Sequence, residues 1–218
     1  MNNLETLAND LRSEDLSVRM KVLPASRSLS HKERFSLVTL AVHDPNSRIR
    51  YDAVSQLATL GREDLETTKA ILKDTLHNDP EMDVRAAAAD TIAALGLVEF
   101  FDDLKQIYET TSDWLMQFSI VAALGALGES RAYDLLVHAL DHGNDLVKLA
   151  AIGSLGELAN PAALPLLEPL THHPDWQIRH RVVQALGNLG ASALPLLHRL
   201  QSDPNPTVAE LAQQLCSP

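Results

Sequence analysis

The sequence has 218 residues and is acidic, with 18 Lys and Arg against 29 Asp and Glu and a formal net charge of -11. This balance argues against nucleic acid and membrane surfaces as partners, because both are bound through clustered basic side chains. The single cysteine, Cys216, excludes an internal disulfide framework. The sequence has no apolar run of membrane-spanning length and no signal-like start. We therefore expect a cytoplasmic protein without membrane insertion.

One motif recurs along the chain. In its clearest copy, Asp79 and Pro80 precede an apolar stripe with Arg85 beside it, and the copy ends at Gly96. Asp79 is predicted to cap a helix, Pro80 to fit its first turn, and Gly96 to end it in the left-handed region. Two further copies have equivalent residues at equivalent places: Asp44, Arg50 and Gly61, then His173, Arg179 and Gly190.

The copies follow one another at a regular spacing. Offsets are counted here from the first residue of each copy, and offset 6 falls on positions 19, 50, 85, 117, 148, 179 and 209. A period of about 30 to 35 residues is typical of solenoids built from stacked helix pairs. The sequence therefore predicts an all-α fold, an α-solenoid superhelix of seven helix pairs that forms a single domain over 1–218.

The periodicity also places the individual helices. In chain order, the predicted pairs are 2–12 and 15–28, 32–43 and 46–59, 63–77 and 81–95, 98–110 and 113–127, 129–141 and 145–158, 162–171 and 175–189, and 192–201 and 206–216. The first pair is polar, as terminal repeats of a solenoid are. Pro165 and Pro169 are predicted to bend or break the helix at 162–171, because proline lacks the N–H that a helix interior uses.

The second helix of each pair carries an apolar stripe at offsets 5, 9, 12 or 13, and 16, which predicts the core. Arg50, Arg85 and Arg179 flank this stripe at offset 6. A planar guanidinium can donate to carboxylates and carbonyls of a neighbouring repeat. We therefore expect these arginines to form an inter-repeat ladder of ion pairs and caps, not to contact a ligand.

Offsets 4, 8 and 11 lie opposite the core stripe and provide the ligand-binding candidates. These are Arg48, Asp52, Asp90 and Arg181. In the middle repeats the same face is small or apolar, with Ala87, Ser119, Ala150 and Gly153. Two interpretations stay open: a solvated face, or a groove whose floor lets a partner helix or a planar ligand approach closely.

The fourth repeat departs from the motif. It has Gln117 at offset 6, and it carries three large apolar residues outside the core offsets: Trp114, Leu115 and Phe118. Trp176 has the same offset as Trp114. These tryptophans either cover the helix starts or form an exposed aromatic patch for a partner, since such residues anchor interfaces. The four residues are our partner-binding candidates.

The sequence offers little support for a metal site. His172 and His173 are adjacent and His180 follows seven residues after His173. Helical metal ligands are typically three or four positions apart, so we expect no metal here. The sequence also lacks a phosphate-binding glycine loop and a nucleophile elbow.

The motif Asp-Pro-x-x-x-Val-Arg-x-x-Ala-x-x-x-Leu-x-x-Leu-Gly resembles HEAT repeats. The short period and the segments 120–129 and 151–158 resemble the HEAT-repeat bilin lyases of cyanobacteria. The segments 48–58, 83–90 and 111–115 resemble the family of cyanobacterial phycobilisome-degradation proteins. This resemblance implies a protein that acts on phycobiliproteins, such as phycocyanin or allophycocyanin, and phycocyanobilin as a possible ligand.

Three functions remain open at this stage, and they leave open whether the protein is an enzyme. The first is an adaptor that docks on phycobiliproteins, and the third is a HEAT scaffold unrelated to the antenna. The second is an enzyme that detaches or transfers a bilin at a cysteine thioether. It needs cations for propionates, a carboxylate for pyrrole N–H groups and an acid–base group. The residues offered for these roles are Arg48, Arg50, Arg179 or Arg181, then Asp52 or Asp90, and finally Asp113 or His180.

Overall fold

The computed structural model describes residues 3–216, and every regular element within them is helical. The chain divides into two compact units, the first ending at Thr111 and the second beginning at Ser112. The all-α, solenoid-like fold is confirmed, whereas the single continuous domain stays a prediction. No helix in this described part is long and apolar enough to cross a membrane.

Residues 3–216 contain fourteen α-helices, seven in each unit. The first unit contains α1 (Leu4–Asp10), α2 (Leu16–Ala25), α3 (His31–Ala41), α4 (Ser47–Leu60), α5 (Leu65–Asn78), α6 (Met82–Leu95) and α7 (Phe101–Thr110). The second contains α8 (Trp114–Leu127), α9 (Tyr133–His142), α10 (Asp145–Glu157), α11 (Leu164–Leu167), α12 (Trp176–Asn188), α13 (Leu194–Leu200) and α14 (Pro206–Cys216). Their order and number follow the predicted pairs.

The helix starts correct one detail of the motif. Asp79 is not the cap of α6, because the capping position belongs to Glu81 and Pro80 lies before it. The Asp79 carboxylate instead accepts a hydrogen bond from the Glu81 N–H at 2.9 Å. It thereby fixes the turn that precedes the helix. The equivalent Asp44 accepts from the N–H of Asn46, again two residues on, at 2.8 Å.

The helix ends use the left-handed region as predicted, with one exception. Gly96 and Gly190 have φ angles of 71° and 64°. Gly61 has a φ of -64° because the chain continues into a 3₁₀ turn there. A Cβ on Gly61 would lie 2.7 Å from the Thr68 side chain, so glycine is needed there for space. At the equivalent place in the fifth repeat, Ala159 adopts a left-handed φ of 52°.

The predicted break at 162–171 is confirmed. The α-helix there is only four residues long, Leu164–Leu167, and a 3₁₀ turn, Pro169–His172, follows it. Pro165 is tolerated in the first turn of α11, where its missing N–H would have had no partner. Pro169 then prevents the helix from continuing.

The second helices of successive repeats stack on one another within each unit. α2, α4 and α6 stack in the first unit, and α8, α10, α12 and α14 stack in the second. Buried hydroxyls tie these stacks at one shared repeat position. Thr91 donates to the carbonyl of Val54 at 3.1 Å, and Ser154 donates to the carbonyl of Val121 at 2.9 Å.

The ladder predicted at offset 6 is confirmed for two of the three arginines. Arg50 donates to both carboxylate oxygens of Asp79 at 2.8 Å. Arg179 makes the same bidentate pair with Asp203, at 2.7 and 2.8 Å. The Arg179 hydrogen bonds lower the pKa of Asp203 although burial opposes them. For Asp79, burial raises the pKa, but the hydrogen bonds from Arg50 and Glu81 outweigh it and the pKa is lowered.

Each of these guanidinium groups also bridges to its own repeat. Arg50 Nη1 donates to the carbonyl of Asp44 at 3.0 Å, and Arg179 Nη1 donates to that of His173 at 2.7 Å. Arg85 differs, because its Nε donates to the Leu76 carbonyl at 2.8 Å. The residue of the fourth repeat that corresponds to Asp79 is Thr111, so no carboxylate stands at that step of the ladder.

Candidate functional site

The stacked second helices form a groove in each unit. The groove of the first unit, called groove 1, lies across α2, α4 and α6 and has a volume of about 510 Å³. Its lining includes Met20, Arg48, Tyr51, Asp52, Glu81 and Asp83. The groove of the second unit, called groove 2, lies across α8, α10 and α12 and has a volume of about 460 Å³. Its lining includes Phe118, Ala122, Leu149, Ala150, His180 and Arg181.

Groove 1 is charged. Arg48 is exposed and makes no ion pair among the residues that the structure describes. The Asp52 carboxylate accepts a hydrogen bond from Gln56 at 3.2 Å. Glu81 and Asp83 add two exposed carboxylates, so acidic groups outnumber Arg48 on this surface. The carboxylates of groove 1 can therefore bind a cation or accept hydrogen bonds from a ligand, and Arg48 can bind an anion.

Groove 2 has a floor of small residues because α8, α10 and α12 pack very closely. A Cβ on Gly125 would lie 2.6 Å from the Cα of Ser154. A Cβ on Gly156 would lie 2.5 Å from the Cα of Ala185. These backbone contacts allow only glycine. Gly125 and Gly156 thus serve helix packing in this unit.

Arg181 lies across the floor of groove 2. A Cβ on Gly153 would overlap its guanidinium, with Nε 2.6 Å away, so the group rests directly on the glycine backbone. The Arg181 Nε is buried and has no hydrogen-bond partner. Its Nη1 donates to Gln184 at 3.3 Å. This guanidinium therefore has donor capacity that its own surroundings do not use.

Exposed aromatic residues begin two of the helices that form groove 2, α8 and α12. Trp114 keeps 47% of its surface exposed and Trp176 keeps 41%, which favours the interpretation as an exposed patch. The Trp176 ring meets the His180 ring edge to face, with centroids 6.4 Å apart. Phe118 is partly buried and lines the groove. Leu115 is partly buried as well.

An aromatic pair at the start of α7, in the first unit, is buried instead. Phe100 and Phe101 are 4% and 3% exposed, although they are adjacent in sequence. A 3₁₀ turn ends at Phe100 and α7 begins at Phe101, which lets both rings turn inward.

The remaining candidates separate into different places. Arg48 and Asp52 line groove 1, and Arg181 and His180 line groove 2. Asp90 is exposed on α6 and is not among the residues that line the two grooves.

Asp113 has a structural task. It caps α8 by accepting hydrogen bonds from the N–H groups of Leu115 and Met116, at 2.9 and 3.1 Å. The residues 3–216 contain no group of three or more possible metal ligands, and His172, His173 and His180 form none.

Offset 7 contributes to both grooves, although only Phe118 and His180 among its residues were candidates from the sequence. Its members are Met20, Tyr51, Phe118, Leu149 and His180. Tyr51 is 48% exposed and Met20 is 40% exposed, so this offset places large apolar side chains at the surface. The signal was present in the sequence, since this offset is apolar or aromatic in four of these five repeats although it lies outside the core stripe.

Comparison with known proteins gives the family. A model of HEAT repeats matches residues 70–146 and 138–216. The chain belongs to the HEAT-repeat family. No curated protein sequence matches it.

Three solved structures are similar to this HEAT-repeat chain. The complex of CpcE and CpcF of phycocyanin lyase from Nostoc sp. PCC7120 is 21% identical and has a TM-score of 0.58, with 99% of this chain and 94% of that chain covered. Human deoxyhypusine hydroxylase with glycerol is 18% identical, with 97% and 94% covered and a TM-score of 0.42. An engineered protein is 17% identical, with 99% and 96% covered and a TM-score of 0.44. At these identities the similarity concerns the fold.

Proposed function

We propose that this protein is an adaptor that binds phycobiliproteins when the cyanobacterial antenna is dismantled, as a counterpart of the degradation protein NblB. The observation that carries the proposal is groove 2. It combines an apolar wall, Phe118 and Leu149, with a floor of small residues, and two of its helices, α8 and α12, begin at tryptophans that are more than 40% exposed. Interface anchors typically have this composition, in which large aromatic residues accompany a closely packed surface.

Two further observations support the choice of partner. Phycobiliproteins are helical, and a helix can lie against a floor made of Ala122 and Ala150 without steric conflict. The fold is shared with a complex described as a phycocyanin lyase. The sequence segments that resemble phycobilisome-degradation proteins agree with this partner class.

The test is a binding titration with three ligands. Holo-phycocyanin and allophycocyanin are titrated separately with the purified protein, and free phycocyanobilin is titrated in parallel. We expect a complex with at least one holo-protein and an unchanged bilin absorbance. The proposal is contradicted if neither holo-protein binds at protein concentrations above the dissociation constants that are usual for transient complexes.

Groove 1 favours a second candidate function, the handling of a bilin. Arg48 and Asp52 line the same groove and provide the two groups that a tetrapyrrole requires, a cation for a propionate and a carboxylate for pyrrole N–H groups. A bound bilin would supply the thioether carbon at which detachment or transfer takes place. The residues of groove 1 would bind and orient the pigment.

The acid–base group is the weak part of this candidate. Asp113 is engaged as the cap of α8, and His180 belongs to groove 2. A shift in the absorbance of free phycocyanobilin that Arg48→Ala abolishes and Arg181→Ala preserves would support bilin binding in groove 1. No shift with the unaltered protein would contradict it.

A further inference from the structure

We propose that groove 2 recognises an acidic side chain on a helix of the partner, and that Arg181 is the residue that pairs with it. The inference rests on the proposed function and specifies the chemistry that the partner must present. In this arrangement the acidic side chain contacts the Arg181 guanidinium. An apolar side chain one turn away on the same partner helix packs against Phe118 and Leu149.

The charge distribution of the second unit singles out Arg181. The unit has five Lys and Arg residues: Arg131, Lys148, Arg179, Arg181 and Arg199. Three of them are paired, Arg131 with Glu129, Arg179 with Asp203 and Arg199 with Glu168. Lys148 and Arg181 have no ion pair among the described residues, and of these two only Arg181 lines groove 2. An anionic group on the partner is therefore the complement of this surface.

The geometry keeps the guanidinium ready for such a partner. Arg181 rests on the Gly153 backbone, where any larger residue would displace it. Its buried Nε lacks a hydrogen-bond partner, and its contact with Gln184 is long at 3.3 Å. A carboxylate accepts hydrogen bonds from guanidinium N–H groups, so an incoming Asp or Glu can pair with Arg181 Nη1, whose contact in the free protein is the long one to Gln184. Little ordering is needed on binding because packing already restricts the side chain.

A second buried Nε shows that an unused donor alone would not suffice. The Nε of Arg34 on α3 also lacks a partner. However, Arg34 Nη2 donates to Gln56 at 2.9 Å, and Arg34 is not among the residues that line the two grooves. Arg181 combines the unused donor with a place in an apolar groove, and this combination indicates a binding surface.

The shape of groove 2 favours a helix as the occupant. Ala122 and Ala150 on the floor let a helical backbone approach closely, and Phe118 and Leu149 form an apolar wall beside Arg181. One helical turn rises about 5.4 Å, so residues three or four apart on the partner face the same side and can meet the wall and Arg181 together.

Groove 2 is less suited to a tetrapyrrole with two propionates. It offers one unpaired Arg, and Glu157 also lines it and would repel a second carboxylate.

The experiment uses charge reversal in the groove with a matched control. Arg181→Glu reverses the groove cation, and Lys148→Glu makes the same charge change in the same unit outside the groove. The probes are two helical peptides of about 15 residues, the length at which isolated helices begin to hold. Both carry Leu on one face, and four residues later one has Glu and the other has Lys. Binding is measured by fluorescence anisotropy after a check that thermal unfolding is unchanged.

We expect the unaltered protein and Lys148→Glu to prefer the Glu peptide by at least tenfold. We expect Arg181→Glu to lose this preference or invert it. A tenfold change corresponds to about 1.4 kcal/mol, which is within the range of a desolvated charge pair. The inference is overturned if Arg181→Glu keeps the preference, if Lys148→Glu abolishes it equally, or if neither peptide binds to the unaltered protein.

The same three proteins are then titrated into holo-phycocyanin, which separates this inference from the proposed function. A phycocyanin complex that survives Arg181→Glu supports the proposed partner and overturns the role of Arg181. A peptide preference that depends on Arg181 without a phycocyanin complex supports the ligand chemistry and contradicts the proposed partner. Binding of free phycocyanobilin that Arg181→Glu abolishes, with no peptide preference, shows that the occupant is a pigment and overturns the inference.

Discussion

Groove 1 and groove 2 are built on the same repeat positions but have different linings. Groove 1 is lined by several carboxylates, whereas groove 2 is lined mainly by apolar and small residues around Arg181. In groove 1, offset 7 is Met20 or Tyr51 and offset 8 includes Asp52, with further carboxylates beside them. In groove 2, offset 7 is Phe118, Leu149 or His180 and offset 8 is Ala150 or Arg181. The backbone frame is common to both, because α4 and α6 stack in one unit as α8 and α10 stack in the other.

The difference separates two kinds of residue in this fold. Residues at the core offsets and at offset 6 maintain the stack and recur in both units. Residues at offsets 4, 7 and 8 face the grooves and are free to differ. Substitutions at the first kind of position should change stability similarly in both units. Substitutions at the second kind should change binding in one unit only.

The largest effect is expected for two bidentate ladder arginines, one from each unit. Arg50→Ala and Arg179→Ala each leave an almost buried carboxylate, Asp79 or Asp203, without its ion pair. Breaking one partner of a buried pair costs about 3–5 kcal/mol, so each variant should lose on the order of 3 kcal/mol of unfolding free energy. Urea unfolding measures the loss. Unequal losses in the two units would break the idea of a common frame.

Two related variants provide the controls. Arg85→Ala removes one described hydrogen bond to a carbonyl and should cost about 1 kcal/mol. Arg48→Ala removes an exposed cation without an ion pair and should change stability by less than about 0.5 kcal/mol. A large loss for Arg48→Ala would show that offset 4 is structural.

The second largest effect concerns binding. Trp114→Ala combined with Phe118→Ala should weaken the complex with holo-phycocyanin by about 2 kcal/mol or more, because truncated aromatic anchors typically cost that much. The matched control is Met20→Ala combined with Tyr51→Ala, which truncates large exposed side chains of groove 1. Equal weakening by both pairs would show that the partner contacts both grooves. Each variant needs an unchanged unfolding transition for the comparison to hold.

Much of the frame could be predicted from the sequence, because it depends on patterns that repeat. The helix order, the break caused by Pro169 and the assignment of Arg50 and Arg179 to an inter-repeat ladder all follow from local rules applied at one period. The two grooves could not be predicted as separate sites. Their existence depends on which side chains from three stacked helices converge, and the close approach at Gly125 and Gly156 is a tertiary contact.

The candidate residues illustrate the same limit. Asp113 had the right type for an acid–base role, but its position just before α8 makes it a cap. Asp79 had the right type for a cap, but the carboxylate is used by Arg50 and by the N–H two residues on. Residue type alone could not distinguish these uses, since they depend on whether the carboxylate lies at the capping position or two residues before it. Met20, Tyr51 and Leu149 were missed as groove residues because their shared offset 7 lies outside the core stripe.

A smaller effect is expected from pH. The pKa values of Asp79 and Asp203 are lowered in the folded protein. A lowered folded-state pKa gives stability that is fully present above the unfolded value of about 3.9 and is lost as pH falls through the folded value. The unaltered protein should therefore become less stable on acidification below about pH 4. Asp203→Asn should reduce this slope, and Asp79→Asn should reduce it by a similar amount. Thermal unfolding at several pH values measures it, and an unchanged slope in both variants would contradict the ladder as the source.

The smallest effect distinguishes the two units at a helix end. Gly96 in the first unit and Ala159 in the second occupy offset 17, with φ angles of 71° and 52°. A left-handed conformation costs a residue with a Cβ roughly 1–2 kcal/mol, whereas glycine adopts it freely. Ala159→Gly removes this strain but loosens the unfolded chain, which offsets roughly 0.4–1 kcal/mol. We expect a net gain of about 0.5–1 kcal/mol in unfolding free energy.

The converse variant completes the test. Gly96→Ala introduces the same strain in the first unit, and no atom lies within 4 Å of the added Cβ to complicate the result. It should therefore lose about as much stability as Ala159→Gly gains. Both changes are far smaller than those at the ladder, so chemical unfolding at equilibrium is the suitable measurement. If Ala159→Gly destabilises the protein, the Ala159 methyl group makes a favourable contribution that exceeds its backbone strain, and the two units differ at this helix end in packing as well as in backbone conformation.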